Sequence, residues 1–292
     1  MSFAAHLRER LGDAQTPPVS GTWRPISLCL DDVSGEFLNV GIAFQHQAGI
    51  EVRMLDTFHR LQCLYDKRIE RNQLQHLLMD IEETLIRHPD DRLPDSLADT
   101  IRLGQPAFAQ GENPEAIIDA FFHDIVTLAR PRPGAESDRF RYRSTPKIRA
   151  EVLDGLYERM GILADKVIQL KPSQIPLRNG RQIEVDVPLM SKGAAGTIAS
   201  AWYKNPMVVE NTILRAESDL MHVASNTGRR PILSILLPSS DSGLTHKERE
   251  RVERAADRKL GRMEFAGCKI IRDDHPAGLI EQTYDVWWRE AA

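Results

Sequence analysis

Basic and aromatic side chains alternate along one short segment, residues 130–149. The segment carries seven arginine or lysine residues against two acidic ones, a net +5, so the rest of a chain of net charge −4 carries −9. Arginine contacts phosphate and aromatic rings stack on bases, so this composition predicts contact with nucleic acid. A solvated linker is the alternative, because the segment lacks an apolar stripe to bury. The candidate residues are Arg139, Phe140, Arg141, Tyr142, Arg143 and Lys147.

Other residue types that often carry chemistry show no recognisable pattern in the sequence. Cys29, Cys63 and Cys268 lie far apart without a CxxC pair, which is typical of reduced core thiols. The nine histidines form no HExxH or similar paired spacing. Residues 192–196 lack the GxxxxGK(S/T) order of a phosphate loop and predict a hairpin turn. We therefore expect no catalytic residue, no metal site and no cofactor from these patterns.

The size and composition of the chain favour a two-domain globular protein. Each part of a 292-residue chain is long enough to bury its own core. No apolar stretch approaches the roughly 20 residues that span a bilayer, and residues 1–12 are charged and amphipathic rather than a signal peptide. We therefore expect a cytoplasmic protein without membrane contact.

The first part of the chain predicts an α+β domain over residues 21–132, preceded by an arm or docking helix at residues 1–20. Period-two alternation predicts a three-stranded antiparallel meander, and helical spacing follows it. The predicted strands are 25–30, 36–44, 50–55 and a piece around 106–110; the predicted helices are 57–65, 71–87 and 116–128. The last helix has Asn113 as its N-cap and proline at its first position.

The second part predicts an α/β domain over residues 147–292, joined to the first by a basic linker at residues 133–146. The predicted elements are helix 148–169, a hairpin at 183–187, strand 196–203, helix 205–224, strand 230–238 and charged helix 245–261. Near the end, Tyr284, Trp287 and Trp288 lie on a predicted short helix. They are core anchors in one interpretation and an exposed partner surface in the other.

Two motifs in the first domain resemble those of a known bacterial family. Residues 34–43 read Ser-Gly-Glu-Phe-Leu-Asn-Val-Gly-Ile-Ala, and residues 55–61 read Leu-Asp-Thr-Phe-His-Arg-Leu. With Pro114-Glu115-Ala116, they resemble the family called domain of unknown function 3037 over residues 24–132. The resemblance implies a bacterial protein encoded near a HipA-like toxin kinase or another mobile-element system. It implies no established activity.

Individual residues of these motifs also have a physical interpretation. Gly35 permits the positive φ that a tight hairpin needs. Asn39 places an amide within a strand, where it must be hydrogen-bonded. Asn39 is therefore either a structural amide or, together with Asp56, part of a recognition surface.

The second domain resembles the helix–strand–strand–helix core of the PD-(D/E)XK nucleases. Glu151 or Glu158 lies on the first helix, Glu184 or Asp186 on a strand, and Lys204 at the end of the next strand. The resemblance implies carboxylates around Mg²⁺ beside a lysine that helps to activate water, here Glu151, Asp186 and Lys204. The acidic residue expected two positions before the lysine is missing. The resemblance is therefore to a catalytically inactive relative of these nucleases.

Taken together, the patterns predict an α+β protein with an N-terminal antiparallel meander and packed helices, plus a C-terminal α/β domain with a small mixed sheet. The favoured function is non-catalytic interaction, in which the protein binds another bacterial or phage protein as an antitoxin-like or defence-associated factor. The alternative is a Mg²⁺-dependent nuclease that acts on nucleic acid through the second domain. A structural subunit of a larger assembly is the third class.

Overall fold

The described part of the chain is a mixture of helices and strands in two units, Met1–Gly134 and Ala135–Ala292. The computed structural model describes residues 19–65, 68–88, 92–130, 140–169, 171–176 and 182–291. The predicted α+β class is confirmed. The predicted arm lies outside the described residues, apart from Val19 and Ser20, which begin the first strand.

The N-terminal unit is built on the predicted antiparallel meander. Its strands are β1 (Val19–Cys29), β2 (Phe37–His46) and β3 (Gly49–Met54), and β2 pairs with both of the others. Gly35, in the turn between β1 and β2, has φ of +63°, the left-handed conformation that glycine adopts without strain. The meander and this use of Gly35 are therefore confirmed.

Three shorter strands extend the sheet on the other side of β1. They are β4 (Ser96–Ala98), β5 (Ile101–Leu103) and β6 (Ala107–Gly111). The strand order is β3-β2-β1-β5-β4, and β6 pairs with the first half of β1. The sheet therefore has six strands, of which the sequence indicated four.

One buried cation holds the outer loops of this sheet against β1. The Arg24 side chain is 4% exposed and donates hydrogen bonds to the carbonyls of Leu93 at 3.0 Å, Leu103 at 3.1 Å and Gly104 at 2.6 Å. It also pairs with the Asp95 carboxylate at 2.6 Å. These contacts satisfy the guanidinium and join chain segments that are distant in sequence.

The helices of the N-terminal unit pack against the meander. They are α1 (His59–Leu64), α2 (Arg71–Ile86) and α3 (Pro114–Ile125), and α2 contacts β3 while α3 contacts β2. As predicted, the Asn113 side chain caps α3 by accepting from the Ala116 amide at 2.8 Å. Phe121 of α3 stacks on Trp23 of β1 with ring centroids 4.2 Å apart, which fixes the helix on the sheet.

The C-terminal unit alternates helices and strands. Its helices are α4 (Thr145–Met160), α5 (Pro206–Thr227), α6 (His246–Phe265) and α7 (Pro276–Ala291), with a 3₁₀ turn at Gly161–Lys166. Its strands are β7 (Ser173–Pro176), β8 (Gln182–Val185), β9 (Leu189–Met190), β10 (Ala194–Ser200), β11 (Arg230–Leu236) and β12 (Lys269–Asp273). β7 and β8 form a separate antiparallel hairpin.

Helices cover both faces of the main sheet of this unit. Strands β10, β11 and β12 are parallel neighbours, with β9 antiparallel at the edge beside β10. Ile198, Ile232 and Ile271 project from one face into the core formed with α4 and α7. The two βαβ crossovers run in the same direction, so α5 and α6 pack together on the other face. The unit therefore has three layers.

The chain enters the C-terminal unit earlier than predicted. Phe140 is 6% exposed and belongs to the core beside α4, so residues 140–146 are not an exposed linker. The Ser200 hydroxyl donates to the Arg143 carbonyl at 2.5 Å, and the Ser200 amide donates to Thr145 Oγ1 at 3.0 Å. These bonds attach the segment to the end of β10. Residues 131–139 lie outside the described residues.

A close approach between sheet and helix in this unit depends on Gly196 of β10. All seven residues of β10 are buried, and the indole of Trp287 from α7 lies directly over Gly196. Trp287 is fully buried, as its interpretation as a core anchor predicted. Glycine at this position leaves the space that the indole ring occupies.

Replacing Gly196 by alanine is expected to destabilise the C-terminal unit by about 1–3 kcal/mol, the usual cost of overpacking. The added Cβ would lie 2.3 Å from Cζ2 of Trp287, and a buried ring cannot move aside without disturbing its neighbours. Urea unfolding followed by circular dichroism measures the change. Gly193→Ala is the matched control, because its Cβ would meet nothing nearer than 3.5 Å. Equal destabilisation of both variants would contradict this account.

Candidate functional site

The three residues of the nuclease hypothesis each contact a different oppositely charged residue. Glu151 on α4 lies 3.7 Å from Arg143, and Lys204, beyond the end of β10, lies 3.3 Å from Glu248. Asp186 directly follows β8 and forms an ion pair with Arg149. The structure therefore places the three side chains in three separate ion pairs.

The surroundings of Asp186 are those of a structural ion pair. The Arg149 side chain is 14% exposed and donates to the Asp186 carboxylate. The Thr197 hydroxyl donates to the Asp186 carbonyl at 3.2 Å, and the Asp186 amide donates to the Asp219 carboxylate at 3.3 Å. The group joins α4, β10 and α5 at the sheet edge. A partly buried pair of this kind is costly to break.

Burial is the main reason that the pKa of Asp219 is raised, and the nearby negative charge of Asp186 raises this pKa further. Arg149 opposes that rise, because its positive charge favours the ionised carboxyl. One guanidinium thus serves two carboxylates. The negative charge of Asp186 is therefore already compensated by a cation of the protein itself.

Lys204 contributes to the N-terminal cap of α6. Thr245 and Glu248 form a capping box, in which the Thr245 amide donates to Glu248 at 3.0 Å. Burial raises the pKa of Glu248, but the hydrogen bonds from Thr245 and Lys204 outweigh it, so the pKa lies below its ordinary value. Lys204 therefore stabilises an ionised cap carboxylate.

A second group of charges lies at the carboxyl edge of the sheet, where β11 leads to α6 and β12 leads to α7 on the opposite face. We call the residues after these strands, Asp241 and 273–275, the carboxyl edge. In open α/β sheets, ligands commonly bind outside the carboxyl ends of the strands. Sequence reasoning did not identify this region, because β12 was not recognised. The apolar pair Ile270-Ile271 after a long charged helix was the available signal.

The side chains of the carboxyl edge are paired with one another or with local backbone. Asp273 accepts from the His275 amide at 2.8 Å and from the Gln282 side chain of α7 at 2.6 Å, which joins the end of β12 to α7. Asp274 hydrogen-bonds to His275 at 2.8 Å and raises its pKa. A hydrogen bond from Ser239 is the largest cause that lowers the pKa of Asp241.

Potential metal ligands cluster at one place in the described part of the chain. Atoms of Asp273, Asp274 and His275 all lie within 4.8 Å of one another. Glu151 and Asp186 belong to no such cluster of three or more His, Cys, Asp or Glu residues there. The clustered groups serve local structure, since Asp273 joins β12 to α7 and Asp274 pairs with His275.

Aromatic rings near the start of α4 point into the protein rather than toward solvent. Phe140 is buried, so the expectation that it stacks on bases is wrong. Tyr142 stacks on Tyr203 with centroids 6.1 Å apart, and the Arg143 guanidinium lies 5.1 Å from the Trp202 ring centre. The aromatic character of the segment therefore contributes to packing.

The basic residues of this segment remain partly accessible. Arg141 is exposed, and Arg143 and Lys147 are half-buried. Arg139 lies outside the described residues. Arg143 is close to both Glu151 and Asp241, and these negative charges weaken its attraction for a phosphate.

Asn39 makes the structural hydrogen bond that one interpretation predicted. Its side-chain oxygen accepts from the Ser27 hydroxyl at 2.8 Å, across the β1–β2 pair. The register shifts between Ile26 and Ser27, so this bond lies at an irregularity of the sheet. Asp56 is half-buried in the loop after β3.

No family model, curated protein or solved structure matches the chain. The resemblances to the domain of unknown function 3037 and to the PD-(D/E)XK nucleases therefore stay predictions from their motifs. Within the described residues, no helix combines the length and the apolarity needed to cross a membrane.

Replacing Asp186 by asparagine is expected to lower the free energy of unfolding by about 3 kcal/mol. This value is near the lower end for breaking a buried ion pair, because Asp219 still compensates the charge of Arg149. Chemical denaturation without added metal measures the change. Glu151→Gln is the control, since both side chains of its ion pair are more than 40% exposed and the expected change is below about 1 kcal/mol. A stable Asp186→Asn protein would contradict the structural role.

Proposed function

We propose that the protein is non-catalytic and acts by binding another bacterial or phage macromolecule, as an antitoxin-like or defence-associated factor in the cytoplasm. The supporting observation is the separation of Glu151, Asp186 and Lys204 into three ion pairs. A hydrolytic centre needs these charges together around a cation and a reactive water.

The ion pair of Asp186 also argues against a latent metal site. Mg²⁺ binds ionised carboxylates whose charge is available to the cation. Arg149 already supplies that positive charge in a partly buried setting. Metal binding would have to break this partly buried pair and leave Asp219 alone to compensate Arg149, at a cost of about 3 kcal/mol.

A protein is favoured over nucleic acid as the partner. The basic segment at the start of α4 offers phosphate contacts without exposed rings for bases, since Phe140 is buried and Tyr142 packs on Tyr203. An exposed tryptophan lies elsewhere, on α7, beside a half-buried tyrosine. Trp288 is 40% exposed and lies 5.6 Å from the ring of Tyr284. Exposed tryptophan and tyrosine are enriched in protein interfaces.

The purified full-length protein is expected to show no nuclease activity. Plasmid, single-stranded DNA and RNA incubated with Mg²⁺ or Mn²⁺ should remain intact, because Glu151, Asp186 and Lys204 each pair with a different charged residue. Gel electrophoresis over several hours measures this. The variants Asp186→Asn and Lys204→Met are the controls, because cleavage by a contaminating nuclease would persist in both preparations. Cleavage that both substitutions abolish would overturn the proposal.

Binding to single-stranded DNA is expected to be weak, with Kd of about 10⁻⁶–10⁻⁴ M and a steep salt dependence. The triple variant Arg139→Ala, Arg141→Ala, Arg143→Ala should reduce the log–log salt slope by about 2, because each arginine–phosphate pair accounts for roughly 0.7 of that slope. Fluorescence anisotropy measures both quantities. The control replaces three exposed arginines of α6, Arg251, Arg254 and Arg258, and should change the slope little. Nanomolar, sequence-selective binding would favour nucleic acid as the partner.

A further inference from the structure

A cavity of about 690 Å³ lies in the C-terminal unit, and its described lining contains none of the candidate site residues discussed above. It is bounded by the 3₁₀ turn after α4, by β7 and by the C-terminal end of α5. Its volume lies within the usual range of small-molecule sites, roughly 300–1,000 Å³. The residues that line it indicate what kind of molecule it fits.

Arg229 is held in a defined orientation at this cavity. Gly228 ends α5 with φ of +70°, and its amide donates to the Ala224 carbonyl at 2.9 Å. The chain then turns, and Arg229 Nε donates to the Ser191 carbonyl at 2.7 Å. This bond uses Nε and leaves the two terminal nitrogens, which donate together to a carboxylate in bidentate pairs.

The charged groups of the described lining give a net charge of +1. Arg229 and Lys171 are cationic, and Asp165 is the one anionic group among the described lining residues. Within the part of the chain that the structure describes, neither Arg229 nor Lys171 forms an ion pair with a carboxylate. Asp165 accepts a hydrogen bond from Tyr157, which raises the pKa of Tyr157 together with burial, the larger cause. The balance therefore favours a ligand with a single negative charge.

The remaining wall combines apolar side chains with the polar side chains of Gln169, Ser173, Gln174 and Thr227. Ile168, Ile175, Met190 and Val223 line the cavity, and three of them belong to the buried core. Apolar walls with a few placed polar groups are characteristic of sites for small organic molecules. A free inorganic ion would leave these walls without contacts.

From these observations we propose that the cavity binds a small organic carboxylate, whose carboxyl group pairs with the Arg229 guanidinium and whose apolar body contacts Ile168, Met190 and Val223. Lys171, an exposed residue of the lining, adds long-range attraction for the carboxylate of the ligand. This binding site is separate from the proposed partner interaction, and either can fail without the other.

The matched pair 2-naphthoate and 2-naphthamide tests the proposal with the full-length protein. The two probes share their apolar body and differ in the carboxylate. Isothermal titration calorimetry should give a Kd of about 1 mM or lower for naphthoate, and binding at least tenfold weaker for the amide, since the amide cannot form the charge-assisted bidentate pair. Inorganic phosphate should bind more weakly than naphthoate, because it makes no apolar contacts.

Two adjacent arginines supply a matched pair of variants. Arg229→Met should weaken naphthoate binding at least tenfold, whereas Arg230→Met should leave it unchanged, since Arg230 pairs with Glu290 and does not line the cavity. Thr227→Trp, at an exposed lining position, should block both probes. Circular dichroism verifies that each variant is folded. Equal binding of acid and amide, no naphthoate binding by the wild type at 10 mM, or equal effects of the two arginine variants would overturn the proposal.

Discussion

The tight packing on both faces of β10 is the constraint on which the C-terminal unit depends. This strand is central in its layer and buried along its whole length, so each of its residues meets a helix on one face or the other. Its small residues allow that approach, and Gly196 gives room for the Trp287 indole. Larger residues would push α7 away from the sheet. The positions of Lys204 and of the carboxyl edge follow from where β10 and its neighbours end.

Electrostatics in this protein are mostly local and compensated. Arg24 is satisfied by three carbonyls and one carboxylate, and Arg149 is shared between Asp186 and Asp219. Such pairs orient segments that are far apart in sequence. They also place a cation of the protein itself beside each carboxylate, so less of the carboxylate charge is available to a bound metal ion. Arg229 differs, since its orientation is fixed by a carbonyl and its charge is uncompensated within the described residues.

Most elements could be predicted from periodicity, whereas the missing ones were too short or locally ambiguous. The strands β4 and β5 have three residues each, which is too few to show alternation. The predicted helix 148–169 is interrupted at Gly161, with φ of +55°, because apolar spacing continues through the 3₁₀ turn and conceals the break. Phe140 could not be assigned to a core, since a single aromatic residue has no period. The Arg149–Asp186 pair depends on tertiary contact alone.

The packing of α4 against α7 has a consequence for biosynthesis. These are the first and the last helix of the C-terminal unit in chain order, and the core between them includes Leu156, Leu279 and Trp287. Until residues 276–291 are translated, α7 is missing from the face of the sheet that α4 covers in part, so the apolar surface that α7 buries stays available to chaperones or to aggregation. The N-terminal unit has its strands and helices complete by residue 130 and can fold earlier. The core shared by α4, α7 and the sheet is therefore complete only after α7 has been made.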